Sequence, residues 1–107
     1  MIRKAFVMQL LPGNEEEYRR RHQPIWPELE EVLRKHGVQS YSIFLHPKTL
    51  QLFACAEIES EELWAVIATT PECRRWWNFM QDLMASNPDS SPASLPLEEM
   101  FNLPQVV

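Results

Sequence analysis

Val38-Gln39-Ser40-Tyr41-Ser42-Ile43-Phe44-Leu45, His46-Pro47-Lys48-Thr49 and Leu50-Gln51-Leu52-Phe53-Ala54-Cys55-Ala56-Glu57-Ile58 follow one another in the chain, and their reading decides the fold. The first and last runs carry strand-type patterning, and the four residues between them are the size of a hairpin loop, so the two strands should pair antiparallel. Side chains alternate across a strand. Leu50, Leu52, Ala54, Ala56 and Ile58 therefore share one face, and Phe53 and Cys55 lie on the other. Both faces are apolar, so the sheet has something to bury on each side.

On the N-terminal side, Ile2 to Leu10 reads as another strand, with Ile2, Phe6, Met8 and Leu10 on one face and Ala5 and Val7 on the other. Pro12-Gly13 turns the chain, and Asn14 with Glu17 three residues later has the form of a capping box. Tyr18, His22, Ile25, Trp26, Leu29, Val32, Leu33 and His36 recur at helical spacing, and Gly37 closes the helix. Two prolines interrupt this pattern. Pro24 has no amide hydrogen and drives Gln23 away from helical geometry, so the helix should break there with His22 at the break.

On the C-terminal side, Ser60 is placed to cap a segment holding Leu63, Trp64, Ile67 and Ala68. Thr70-Pro71-Glu72 is a second start signal, opening a segment with Trp76, Trp77, Met80, Leu83 and Met84. Asn87 to Pro92 reads as a loop. Ser94 to Leu103 reads as a last strand, and Pro96 suits an edge or exchanged position.

The order strand, helix, two-stranded hairpin, helical pair, strand is the split βαβ pattern of a ferredoxin-like α+β sandwich, here one domain over 1–107. Its helices can cover one face of a four-stranded sheet only. The second apolar face predicts a homodimer of the dimeric α/β barrel type, packed sheet on sheet or through exchange of Ser94 to Leu103.

A chain of 107 residues with 45% hydrophobic residues has enough apolar surface for a packed core. Its net charge of −5, from 15 acidic and 10 basic residues, argues against nucleic acid as a partner. No apolar run is long enough to span a membrane, and Met1-Ile2-Arg3-Lys4-Ala5 leads into a strand pattern, which gives the expectation of a cytoplasmic protein. Cys55 and Cys73 lack CxxC spacing and are expected as reduced, buried thiols. The scattered His and Cys residues fit no metal motif, so no metal is expected, and two glycines make no phosphate loop.

Chemistry concentrates in two places. Tyr18 and His22 stand at i,i+4 on one helical face, so a phenol and an imidazole can converge on a small ligand. Histidine titrates near neutrality and suits proton transfer. The bland reading is that His22 only satisfies the kinked backbone. Trp76 and Trp77 are adjacent, about 100° apart around a helix, so one can join the core while the other lines a cavity. An indole offers a flat wall for the C–H face of a neutral sugar, and its N–H can donate to a hydroxyl. Tyr41 lies in phase with Ile43 and Leu45, either in the core or with its hydroxyl near His22. His36 at a helix end and His46 in the hairpin loop are weaker candidates.

These residues resemble the L-rhamnose mutarotase family. The likeness rests on Ile2-Arg3-Lys4-Ala5-Phe6-Val7-Met8, on Tyr18 to Leu29 with Arg21-His22 and Ile25-Trp26-Pro27-Glu28-Leu29, on Gly37 to Tyr41, on Glu57-Ile58-Glu59-Ser60-Glu61-Glu62, on Arg75-Trp76-Trp77, and on Asn87-Pro88-Asp89, Ser91-Pro92 and Leu103-Pro104. The resemblance implies a cytoplasmic, dimeric, cofactor-independent isomerase that interconverts the α and β anomers of L-rhamnose. It implies His22 as proton donor and Tyr18, Tyr41, Trp76 and Trp77 as sugar-binding residues. Two positions depart from the family's habit: Ser90 stands where asparagine commonly follows the aspartate, and Asn102 where an aromatic often precedes Leu103-Pro104. Two other readings remain open here, a small dimeric α/β barrel monooxygenase and a non-catalytic sugar-binding module.

Overall fold

The structure, a computed structural model, describes residues 1–104. Its elements run β1 (Ile2–Gln9), α1 (Glu15–Arg21), α2 (Pro27–Lys35), β2 (Val38–Leu45), β3 (Gln51–Ile58), α3 (Glu61–Ile67), α4 (Pro71–Met80) and β4 (Ser94–Leu97). The strands form one antiparallel sheet in the order β2-β3-β1-β4, the ferredoxin-like arrangement expected from the sequence. The hairpin forms as read, with Leu45 opposite Leu52 and Tyr41 opposite Ala56.

Alternation along β3 sets the layers. Leu52, Ala54, Ala56 and Ile58 are buried with Met8 and Leu10 beneath the helices, where Tyr18, Leu29, Ile67, Cys73, Trp76 and Met80 complete the core. On the other face, register aligns Phe44, Phe53, Val7 and Leu95 in a row that crosses all four strands. A second row runs Ser42, Cys55, Ala5 and Leu97. Among the described residues no helix covers this face; Phe44 is 67% exposed and Leu95 68%.

The start and stop signals work mostly as expected. The Ser60 hydroxyl accepts from Leu63 N–H at 3.1 Å, and the Thr70 hydroxyl accepts from Cys73 N–H at 3.3 Å with Pro71 in the first turn. Gly37 takes φ +86°, where an added Cβ would also stand 2.9 Å from Cβ of Glu59, so the α2–β2 turn needs glycine on two counts. The capping box does not form. Asn14 donates its side-chain amide to Leu11 O at 3.2 Å, and Glu17 is drawn instead to Arg20 and Arg21. The charge of two guanidiniums outcompetes one backbone amide.

Two further expectations change. The last strand ends at Leu97, because beyond it the chain leaves the ladder and Glu99 is held at the sheet edge by two bonds from Arg3, at 2.7 and 3.0 Å. Met100, Phe101 and Leu103 follow with exposed side chains. Both cysteines are free, but only Cys73 is buried; Cys55 points to the uncovered face. Among the described residues no helix is long and apolar enough to cross a membrane.

Candidate active site

The helix broken by Pro24 gives the site its first wall. Alpha1 ends at Arg21, the Gln23–Pro24 peptide is cis, and α2 restarts at Pro27 in the first-turn position. His22 caps α1, and its ring nitrogen Nδ1 lies 2.8 Å from Tyr18 O. A carbonyl only accepts, so Nδ1 carries the hydrogen and Nε2 is the nitrogen left for proton exchange. The i,i+4 spacing brings the Tyr18 ring against the imidazole, centroids 4.4 Å apart and tilted by 32°. Trp76 from α4 meets the same imidazole edge-on at 5.2 Å. His22 is thus held between an aromatic of its own helix and one of another.

Trp76 is buried, yet it lines the cavity together with Trp77, so both tryptophans contribute to the wall. Trp26 packs on Trp76 at 5.1 Å, and Phe79 packs on both rings. Trp77 lies beneath the Arg74 guanidinium at 5.4 Å, and Arg74 reaches Asp89 of the 87–92 loop at 3.4 Å. That loop supplies Asn87, Ser91 and Pro92 to the cavity rim.

Tyr41 lines the same cavity from β2. It stacks on Trp64 of α3 at 5.9 Å and meets Phe6 edge-on at 6.4 Å. The residue is 37% exposed, but burial still pushes its hydroxyl pKa up, with lesser contributions from nearby Tyr18 and Cys73. Sequence reasoning missed Trp64 as a site residue, since its helical spacing marked it only as core. Its role appears once the fold sets α3 over Tyr41.

The cavity measures about 1150 Å³, above the usual span for small-molecule sites. It continues past the sheet edge to Ala5, Cys55 and Leu97 on the uncovered face, while His22, Trp76, Trp77 and Tyr41 line it on the helix side. Burial lowers the pKa of His22 more than the Tyr18 carbonyl raises it, and burial raises that of Tyr18. The Cys73 thiol is pushed up to about 11 by the same cause. At neutral pH the tyrosines and the thiol hold their protons and the imidazole is mostly neutral. Neither tyrosine hydroxyl is bound to a protein group among the described residues, which leaves both for a ligand. His36 and His46 lie elsewhere: Nδ1 of His36 bonds Val32 O at 2.7 Å, and Nδ1 of His46 accepts two amides of the hairpin loop.

An aromatic wall with the His22 imidazole and two phenols, in a cavity that Lys4, Glu15, Arg19 and Glu61 also line, suits a small polyhydroxylated ligand. The sequence model of the L-rhamnose mutarotase family matches residues 3–103. An L-rhamnose mutarotase of Opitutus terrae is 63% identical over 103 residues, covering 96% of this chain and 99% of that protein. One from Shigella flexneri is 59% identical over 104 residues, covering 97% and 100%. The crystal structure of L-rhamnose mutarotase from Formosa agariphila has a TM-score of 0.89 at 40% identity, covering 97% of this chain and 100% of that one. A putative antibiotic biosynthesis monooxygenase from Nitrosomonas europaea has a TM-score of 0.64 at 11% identity, covering 92% and 89%, a likeness of fold alone. With a family match over nearly all its residues and relatives this similar end to end, the chain belongs to the L-rhamnose mutarotase family of isomerases.

Proposed function

We propose that this chain interconverts the α and β anomers of L-rhamnose, with His22 as the proton donor and Tyr18, Tyr41, Trp76 and Trp77 as the sugar-binding residues. The observation that carries the reading is the His22 imidazole, whose Nδ1 is tied to Tyr18 O at 2.8 Å and whose ring sits between Tyr18 and Trp76. Its free Nε2 is the only nitrogen of the ring that can trade a proton with a ligand.

Mutarotation needs one proton delivered to the ring oxygen and one taken from the anomeric hydroxyl. Protonated His22 gives its Nε2 proton to the ring oxygen, the bond from that oxygen to the anomeric carbon breaks, and a water takes the hydroxyl proton. The aldehyde turns about its bond to the ring carbon chain. The freed hydroxyl then attacks its other face while neutral His22 takes that hydroxyl's proton, and the water returns its proton to the aldehyde oxygen, which becomes the new anomeric hydroxyl. Burial lowers the His22 pKa, so its protonated form is a stronger acid than free imidazolium. Tyr18 and Tyr41, whose pKa values burial raises, stay protonated and orient the sugar as donors. Trp76 and Trp77 bind its C–H face. General acid–base help of this kind is worth about 10²–10⁴ in rate.

The working form in this reading is a cytoplasmic homodimer. The row Phe44, Phe53, Val7 and Leu95 and the exposed apolar tail at Met100, Phe101 and Leu103 are the surfaces a second copy would cover.

NMR saturation transfer between the anomeric protons of L-rhamnose at equilibrium tests the chemistry. Catalytic protein should speed exchange, and His22→Ala should remove most of the gain while circular dichroism stays native. Rhamnose binding without faster exchange would make the chain a sugar-binding module, and full activity in His22→Ala would remove that residue from the reaction.

A further inference from the structure

We infer that Arg21 is a positioning residue that sets His22 at a fixed distance from the tryptophan wall. Alpha1 spans seven residues, too short to hold its own orientation, and the backbone leaves helical geometry directly after His22. Another group must fix the end of α1 relative to α4.

The Arg21 side chain is 12% exposed and spends nearly its whole fork on that junction. Its Nε donates to Glu17 Oε2 at 2.7 Å, within α1. Nη1 donates to Phe79 O at 2.7 Å and to Asp82 Oδ1 at 3.1 Å, and Nη2 to Asp82 Oδ2 at 3.4 Å. Phe79 O is one of the last carbonyls of α4, which have no partner within the helix, so Arg21 caps the C-terminal end of the helix that carries Trp76 and Trp77. The guanidinium also lies 4.2 Å from the centroid of the Phe79 ring, and that ring packs on Trp76 and Trp26.

One side chain therefore joins the residue before His22 to the end of the helix bearing its neighbour Trp76, 5.2 Å from the imidazole. Geometry of this kind governs rate more than affinity, since displacement of a reacting group by about 1 Å can cost 10²-fold. Lysine keeps the charge but offers one ammonium in place of a planar fork, and cannot hold Glu17, Phe79 O and Asp82 together.

The inference rests on the mutarotase reading for its rate effect, and the test separates the two. L-rhamnose exchange is measured for the wild type, Arg21→Lys and Arg21→Ala, with Arg21→Ala also assayed in added guanidinium ion. In parallel, the His22 imidazole is titrated by NMR in each protein. Arg21→Lys is expected to lose about 10- to 100-fold in kcat with KM changed less than about threefold. Guanidinium should restore part of the rate to Arg21→Ala, and the His22 titration should move toward that of an ordinary histidine in both variants. If the wild type fails to speed exchange, the mutarotase reading falls, and a moved His22 titration still upholds the positioning role. An unchanged His22 titration in folded Arg21→Lys overturns it, as does kcat within twofold of wild type per folded molecule.

Discussion

Replacing Phe44 with Asp should leave the isolated chain nearly untouched and break the proposed dimer. Phe44 is 67% exposed at one end of the apolar row that crosses the sheet. An exposed substitution of this kind changes monomer stability by about 0.5 kcal/mol or less. In a sheet-on-sheet dimer the exposed two-thirds of the ring would be covered. Full burial of a Phe side chain is worth about 1.5–3 kcal/mol, so the remaining part contributes roughly 1–2 kcal/mol per copy and about 2–4 kcal/mol per symmetric dimer. That corresponds to a Kd weaker by about 30- to 1000-fold, before adding the cost of burying an unpaired aspartate. Sedimentation equilibrium across a concentration series reads this directly. Cys55, in the neighbouring row, gives a second readout: its thiol should be slow toward a thiol reagent in the wild type and fast in Phe44→Asp. A wild type that sediments as a monomer, or a variant whose dimer is as tight as the wild type's, would refute the covered face.

Two more predictions concern the site and its rim. The His22 pKa should lie below 6.5, because burial favours the neutral imidazole, so a reaction driven by its protonated form should quicken as pH falls from 8 and level off below that depressed value. Stability runs the opposite way, with the His22 contribution present above about 6.5 and lost as pH falls through the folded value. An exchange rate that climbs with pH would overturn the donor role. Ser90 sits at φ +72° in the left-handed region, which asparagine tolerates better than serine, and its hydroxyl lies near Asn78 Oδ1 at 3.1 Å and Gln81 Oε1 at 2.9 Å. Ser90→Asn can keep an N–H for each acceptor, and should gain up to about 1 kcal/mol, raising Tm by a few degrees. A lower Tm would show that the hydroxyl contacts outweigh the backbone preference.

Much of the fold was legible because local signals agreed. The hairpin, the period-two burial of β3, the Ser60 and Thr70 caps and the break at Pro24 all report short-range sterics, and the structure forms each of them. The failures are competitions that local reading does not weigh. Glu17 had the spacing of a capping residue, but Arg20 and Arg21 offered it charge. The strand pattern through Leu103 had no partner strand after Leu97. Cys55 was assigned to the interior on residue type, yet the alternation that buries Ala54 and Ala56 turns it outward.

In the site, Tyr18, His22 and Trp76 were brought into direct contact, two of them by helical spacing and the third by α4. Tyr41 lines the same cavity from β2 and stacks on Trp64 of α3. Arg21 and Trp64 escaped notice for a common reason. A basic residue on a helix reads as solvated and a tryptophan in an apolar stripe reads as core, and only packing between distant elements gives either a role.

The sheet's two apolar faces thus have different work. The helix-side face carries the cavity, and its wall is built by two helices that a proline break and one arginine hold in register. The other face has no helix among the described residues, and its row of Phe44, Phe53, Val7 and Leu95 is continuous across the four strands. A ferredoxin-like unit that spends its helices on one side can make a ligand site without forming a closed core around the sheet. Covering the second face by another copy would remove the exposed row, and because Ala5, Cys55 and Leu97 of that face also line the cavity, the copy would come to the cavity's edge.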